Sequence, residues 1–122
     1  MGLDFAGAAI DVTVTDLDRA ERFYAVVIGR PCDLRPRPDQ REWRLYPAPE
    51  VVLRLTASAE WAGGNTAAIG VRDLAVERAR LMADWPDLPA IQEKPGVIAV
   101  MRLTDPDGNL VVLWQDLLGK RS

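Results

Sequence analysis

Histidine is absent from this chain of 122 residues, and cysteine occurs once, as Cys32. The first absence removes imidazole, the commonest nitrogen ligand of zinc, copper and iron, and with it the usual base of a Ser or Cys nucleophile. The second rules out an intrachain disulfide, so nothing argues for an oxidising compartment and the expected location is cytoplasmic. Cys32 itself lies between Pro31 and Asp33 with no imidazole to activate it, which argues against a nucleophilic role. Clustered basic residues are missing too: the net charge is −3 and arginines are interleaved with acids. That argues against a nucleic-acid partner. The only glycine pair outside turns, Gly63-Gly64, is no phosphate-binding loop. The opening MGLDFAGAAI has neither a basic leader nor a long apolar run, so no signal peptide and no membrane anchor are expected.

What is present is ordinary globular material, 48% hydrophobic and 27% charged, enough for one domain with a core of its own. It is organised as a repeat. Val14, Asp16 and Leu17 in VTVTDLDRAERFY recur 57 residues later as Val71, Asp73 and Leu74 in AIGVRDLAVERARL. Each copy runs from an alternating apolar strand through an Asp-Leu turn into a helix. In the first copy, residues 8–15 read as a strand, and Asp16 caps a helix that Gly29 ends at about Ile28. Strands at about 31–37, 41–46 and 50–56 follow, and ASAEWAGG, 57–64, is the linker. In the second copy, strand 65–72 passes through Asp73 into a helix stopped at Trp85 by Pro86. Strands near 89–93, 97–104 and 109–115 follow, the last after the tight turn DPDGN. LLGKRS closes the chain as a frayed tail. The expected fold is α+β, two tandem βαβββ modules (8–56 and 65–115) forming a curved mixed sheet around a cleft.

That duplicated order, together with VTVTDLDRAERFY…IG and LTDPDGNLVVLW, resembles the vicinal oxygen chelate superfamily across essentially the whole chain. The group contains glyoxalase I, extradiol dioxygenases, fosfomycin-resistance enzymes and bleomycin-resistance binding proteins. The resemblance implies four metal-binding side chains on the concave sheet face. They fall seven residues before each turn Asp, on the fourth strand, and four residues after the last-turn Gly. Here those positions are Ala9, Thr66, Arg54 and Val112. None suits a divalent ion and Arg54 would repel one, so neither metal nor other cofactor is expected.

Strand alternation adds neighbours to that face: Asp11 and Thr13 beside Ala9, Val52 and Thr56 beside Arg54, Ala68 and Gly70 beside Thr66, Leu110 and Trp114 beside Val112. The expected result is a small-molecule pocket lined by Ala9, Asp11, Thr13, Arg54, Trp61, Thr66, Val112 and Trp114. Trp114 either stacks a planar ligand or belongs to the core. Trp61, in a polar linker, either covers a core edge or closes over a cleft or a partner. Arg54 either pairs with Asp11 and holds a ligand oxygen, or reaches solvent from a strand margin. Trp43 reads as sheet core and Trp85 as a packing plug. The charged positions Asp18, Arg19, Glu21, Arg22, Glu77, Arg78 and Arg80 read as solvated helix surface. Tyr24 and Asp11 remain open for acid–base work.

The resemblance implies a metal-free protein that sequesters a flat aromatic natural product, working as a homodimer. The alternatives are a cofactor-free isomerase, epimerase or lyase of the same fold, and a ligand-sensing or structural homologue.

Overall fold

The computed structural model describes residues 2–119; residues 120–122, part of the tail expected to fray, lie outside it. Strand β1 (Gly7–Val14) leads into helix α1 (Leu17–Ile28), then β2 (Gln40–Pro47) and β3 (Glu50–Ala57). The second half repeats the order with β4 (Thr66–Gly70), α2 (Leu74–Leu81), β5 (Gln92–Lys94), β6 (Ile98–Thr104) and β7 (Leu110–Asp116). Both Asp-Leu turns do what their chemistry suggests. The Asp16 carboxylate accepts the Arg19 amide and the Asp73 carboxylate the Val76 amide, so each caps a free N–H of its helix. The Arg19 amide bond holds the Asp16 carboxyl below the usual carboxylate range. Gly29 closes α1 in the left-handed region, where a side chain would be strained.

The strands form two mixed sheets, β1-β3-β2 and β4-β7-β6-β5. In each, the module's first strand pairs parallel with its last. The two sheets send alternate residues into one common core with both helices. Val12, Val14, Trp43, Leu53 and Leu55 come from the first sheet, Ala67, Met101, Leu103, Val111 and Leu113 from the second, and Tyr24 and Leu81 from the helices. The alternation expected for β1, β3, β4 and β7 therefore holds, with the opposite face left toward solvent.

Three expectations are corrected. The strand at 31–37 does not form; an isolated bridge, Leu34 to Glu42, is all that pairs there. Pro31, Pro36 and Pro38 have no N–H to give, so a ladder cannot run through them. Helix α2 ends at Leu81 rather than Trp85, and the chain tightens through 3₁₀-type bonds from Ala83 to Arg80 and Asp84 to Leu81. Pro86 disfavours helical geometry at Trp85, which moves the break upstream.

The charged helix residues are the third correction. Arg80 of α2 donates to the Val26 and Val27 carbonyls at 2.8 and 2.7 Å, satisfying orphan acceptors at the end of α1. Arg78 donates to the carbonyls of Pro89 and Leu88, and Glu21 accepts from Arg41 at 2.8 Å. These side chains tie elements together from the surface, whereas Asp18, Arg19 and Arg22 are exposed as expected.

Candidate functional site

On the open face of the first sheet, register places Asp11, Arg54 and Glu42 side by side across β1, β3 and β2. Arg54 donates from Nε to Glu42 at 2.7 Å and from Nη1 to Asp11 at 3.2 Å. The expected Arg54–Asp11 pair is present, and Glu42 is the stronger partner that sequence reading missed. The Glu42 side chain is 11% exposed, against 31% for Arg54 and 60% for Asp11. The bond from Glu42 stabilises the guanidinium charge and raises the Arg54 pKa further. The cluster is thus one cation between two carboxylates, with Arg54 Nη2 left over as a donor.

The other members lie where their strands put them. Ala9 pairs with Val52, Thr66 with Leu110, Val112 with Ala68 and Trp114 with Gly70. Ala9, Thr66 and Ala68 are exposed, and Val112 and Trp114 half-buried. A Cβ on Gly70 would stand 2.8 Å from the Trp114 ring, so the indole lies flat on the glycine and needs the space that its missing side chain leaves. Trp114 is therefore a plate on the open face and not a core residue. Trp61 covers no core edge either, being 68% exposed. Its carbonyl accepts the Thr13 hydroxyl at 2.6 Å, which ties the linker to the end of β1.

The two tryptophans do not share an anchor point. Thr13, itself bonded to Asn65 at the start of β4, holds Trp61 there, whereas Trp114 rests on Gly70 at the strand's end. Five residues of strand separate these points, roughly 16 Å. In the single chain the expected lining is an open surface rather than an enclosed cavity.

Tyr24 drops out of acid–base chemistry, and Cys32 stays inert as expected. Tyr24 is buried and donates to Asp105 at 2.8 Å; burial first, then that bond, push its pKa far up, so it stays neutral. Burial likewise raises the Cys32 thiol, whose sulfur lies 3.4 Å from Glu21. Among the described residues no group of three His, Cys, Asp or Glu side chains is placed to hold a metal ion. The donor set at the four superfamily positions, Ala9, Arg54, Thr66 and Val112, does not fit one.

DPDGN turned out to do more than turn. Asp105 accepts the amides of Asp107 and Asn109 on one oxygen, and Tyr24 and the Asn109 side chain on the other. Asn109 also donates to the Thr13 carbonyl and accepts the Asn65 amide, while Asp107 accepts from Thr15 and Arg19. The turn of the second module is thereby clamped onto β1 and α1 of the first.

The fold so assembled is that of the glyoxalase/bleomycin resistance proteins. The glyoxalase/bleomycin resistance protein of Catenulispora acidiphila superposes with a TM-score of 0.78 over 88% of this chain and 95% of its own, at 19% identity. The bleomycin resistance determinant encoded on transposon Tn5 gives 0.68 over 88% and 95%, at 18% identity. A glyoxalase-related enzyme from Fulvimarina pelagi gives 0.64 over 89% and 86%, at 20% identity. No protein-family model matches the sequence, and no curated protein matches it either. The similarity is one of fold, and fold alone does not decide between binding and catalysis. No helix among the described residues is long and apolar enough to cross a membrane.

Proposed function

We propose that this chain is a metal-independent binding protein that sequesters a flat aromatic small molecule, an antibiotic-like natural product, on the open sheet face. The observation that carries this reading is the Asp11–Arg54–Glu42 cluster. Where the fold's metalloenzymes need an anionic ligand, the chain presents a guanidinium already held by two carboxylates. Around it the face offers small or apolar side chains, Ala9, Ala68 and Val112, and the Trp114 plate. Thr13 and Thr66 add hydroxyls, and Arg54 Nη2 and the exposed Asp11 carboxylate are the polar contacts for the ligand. Such a surface desolvates a ring and orients it without supplying a base or a Lewis acid. An open face must still be covered to enclose a ligand, and a second copy of the chain is the cover we assign, with Trp61 at its margin.

The test is a fluorescence titration with a panel of planar aromatic antibiotics, followed by mass analysis of the recovered compound. Saturable binding, one ligand per chain, with the compound unchanged, is the expected outcome. Trp114→Ala is expected to weaken it about ten- to a hundredfold while the protein stays folded. A compound returned isomerised or cleaved would move the protein to the enzyme class.

A further inference from the structure

A second site lies at the end of β4, where Gly70 both carries the Trp114 ring and lines a hollow floored by core residues, and it does not depend on the function proposed for the open face. At the end of the chain's two modules away from the DPDGN clamp, a hollow of about 340 Å³ opens between them. Its apolar lining comes from both halves: Val27 and Ile28 of α1, Leu45 of β2, Ile69 of β4 and Leu113 of β7. Val27 and Leu113 are themselves buried core residues, so the hollow reaches down to the core rather than scoring the surface. Its volume is at the lower end of the range for small-molecule sites.

Three charged side chains stand at the rim: Arg30, Arg72 and Glu77. Two are neutralised within the chain. Arg30 pairs with Asp33 at 2.9 Å, and Glu77 with Arg80 at 2.9 Å. Arg80 is further committed to the α1 carbonyls, so it is not free to turn inward. Arg72 alone has no hydrogen bond or ion pair from its side chain among the described residues. The rim therefore carries one uncompensated positive charge next to an apolar floor.

We infer that this hollow binds a compact monoanion with an apolar body, such as an aryl or short alkyl carboxylate. The body would fill the space over Ile69 and Leu113, and the carboxylate would take the Arg72 guanidinium in a charge-assisted pair. A neutral analogue of the same shape keeps the apolar contact and loses the ion pair, so charge, not shape, is the discriminating feature.

The experiment uses the full chain, 2-naphthoate and its neutral amide, followed by methyl NMR. Naphthoate is expected to shift the methyl signals of Val27, Ile28, Ile69 and Leu113 saturably. The amide, and naphthoate with Arg72→Glu, are expected to bind about tenfold more weakly or worse, whereas Arg72→Lys stays within about threefold. Arg72 is exposed and makes no contact that folding needs, so these variants remain readable. Equal affinity for acid and amide, no effect of Arg72→Glu, or shifts confined to Val112 and Ala68 on the open face would each overturn the inference. Loss of the antibiotic binding proposed above would leave it standing.

Discussion

Arg54 shows what a single residue decides here. Its side chain is less than one-third exposed and its main partner, Glu42, is nearly enclosed, so the pair resembles a buried ion pair more than a surface one. Arg54→Met should cost about 1–3 kcal/mol, because it leaves the Glu42 carboxylate covered and without a cation. Adding Glu42→Gln to Arg54→Met should recover part of that loss, a coupling that chemical denaturation of the two single variants and the double variant measures. If the double variant is as unstable as the two losses summed, the pair is not coupled and Arg54 acts alone. The Asp11–Arg54 contact was legible from strand alternation, but Glu42 was not, for a reason seated in one irregularity. Counted straight back from the turn pair Pro47–Glu50, Trp43 would oppose Arg54 on the open face. The bulge between Arg44 and Tyr46 shifts the register by one, which sets Glu42 against Arg54 and Trp43 against Leu53 in the core. Nothing in REWRLY announces that extra residue.

Among the elements, those defined by local chemistry were readable and those defined by partners were not. The caps at Asp16 and Asp73 and the end of α1 at Gly29 follow from short-range rules, whereas the parallel pairing of β1 with β3 and of β4 with β7 joins strands far apart in the chain. The false strand at 31–37 came from reading alternation through prolines that cannot donate. The role of DPDGN as a clamp lay beyond sequence reading altogether, since its partners Thr13, Thr15 and Asn65 are 44 or more residues away. That clamp yields a prediction at this scale. Asn109 is fully buried, and its side chain joins Thr13, Asn65 and Asp105. Asn109→Ala should destabilise the protein by about 2–4 kcal/mol by orphaning the Thr13 carbonyl and the Asn65 amide. Hydrogen exchange should show the Asn65 amide losing protection first. A loss below about 1 kcal/mol, with that amide still protected, would mean that water replaces the side chain and the clamp is dispensable.

For the molecule as a whole, one core serves both modules, and the face opposite it is left uncovered. That face carries apolar and small groups, Ala9, Ala68, Val112 and the Trp114 ring, with Trp61 68% exposed at its margin. Water contact with such a surface is unfavourable, and a ligand laid on it is enclosed on one side only. A second copy solves both problems, because a two-fold axis can bring the second sheet of one chain, with its Trp114 ring, Val112 and Arg102, over the acidic Asp11–Arg54–Glu42 face of the other. Sedimentation equilibrium at micromolar concentration is therefore expected to give the mass of two chains rather than 13.5 kDa. Ala68→Arg makes the prediction specific to this face. The residue is exposed in the single chain, so the substitution leaves the fold intact, whereas a long arginine side chain at this small position must be desolvated and holds the two faces apart. The dimer should weaken about a hundredfold and the melting transition of the monomer should hardly move. A dimer indifferent to Ala68→Arg would be built on some other surface, and a single chain of 13.5 kDa at every concentration would leave the open face to be covered by ligand alone.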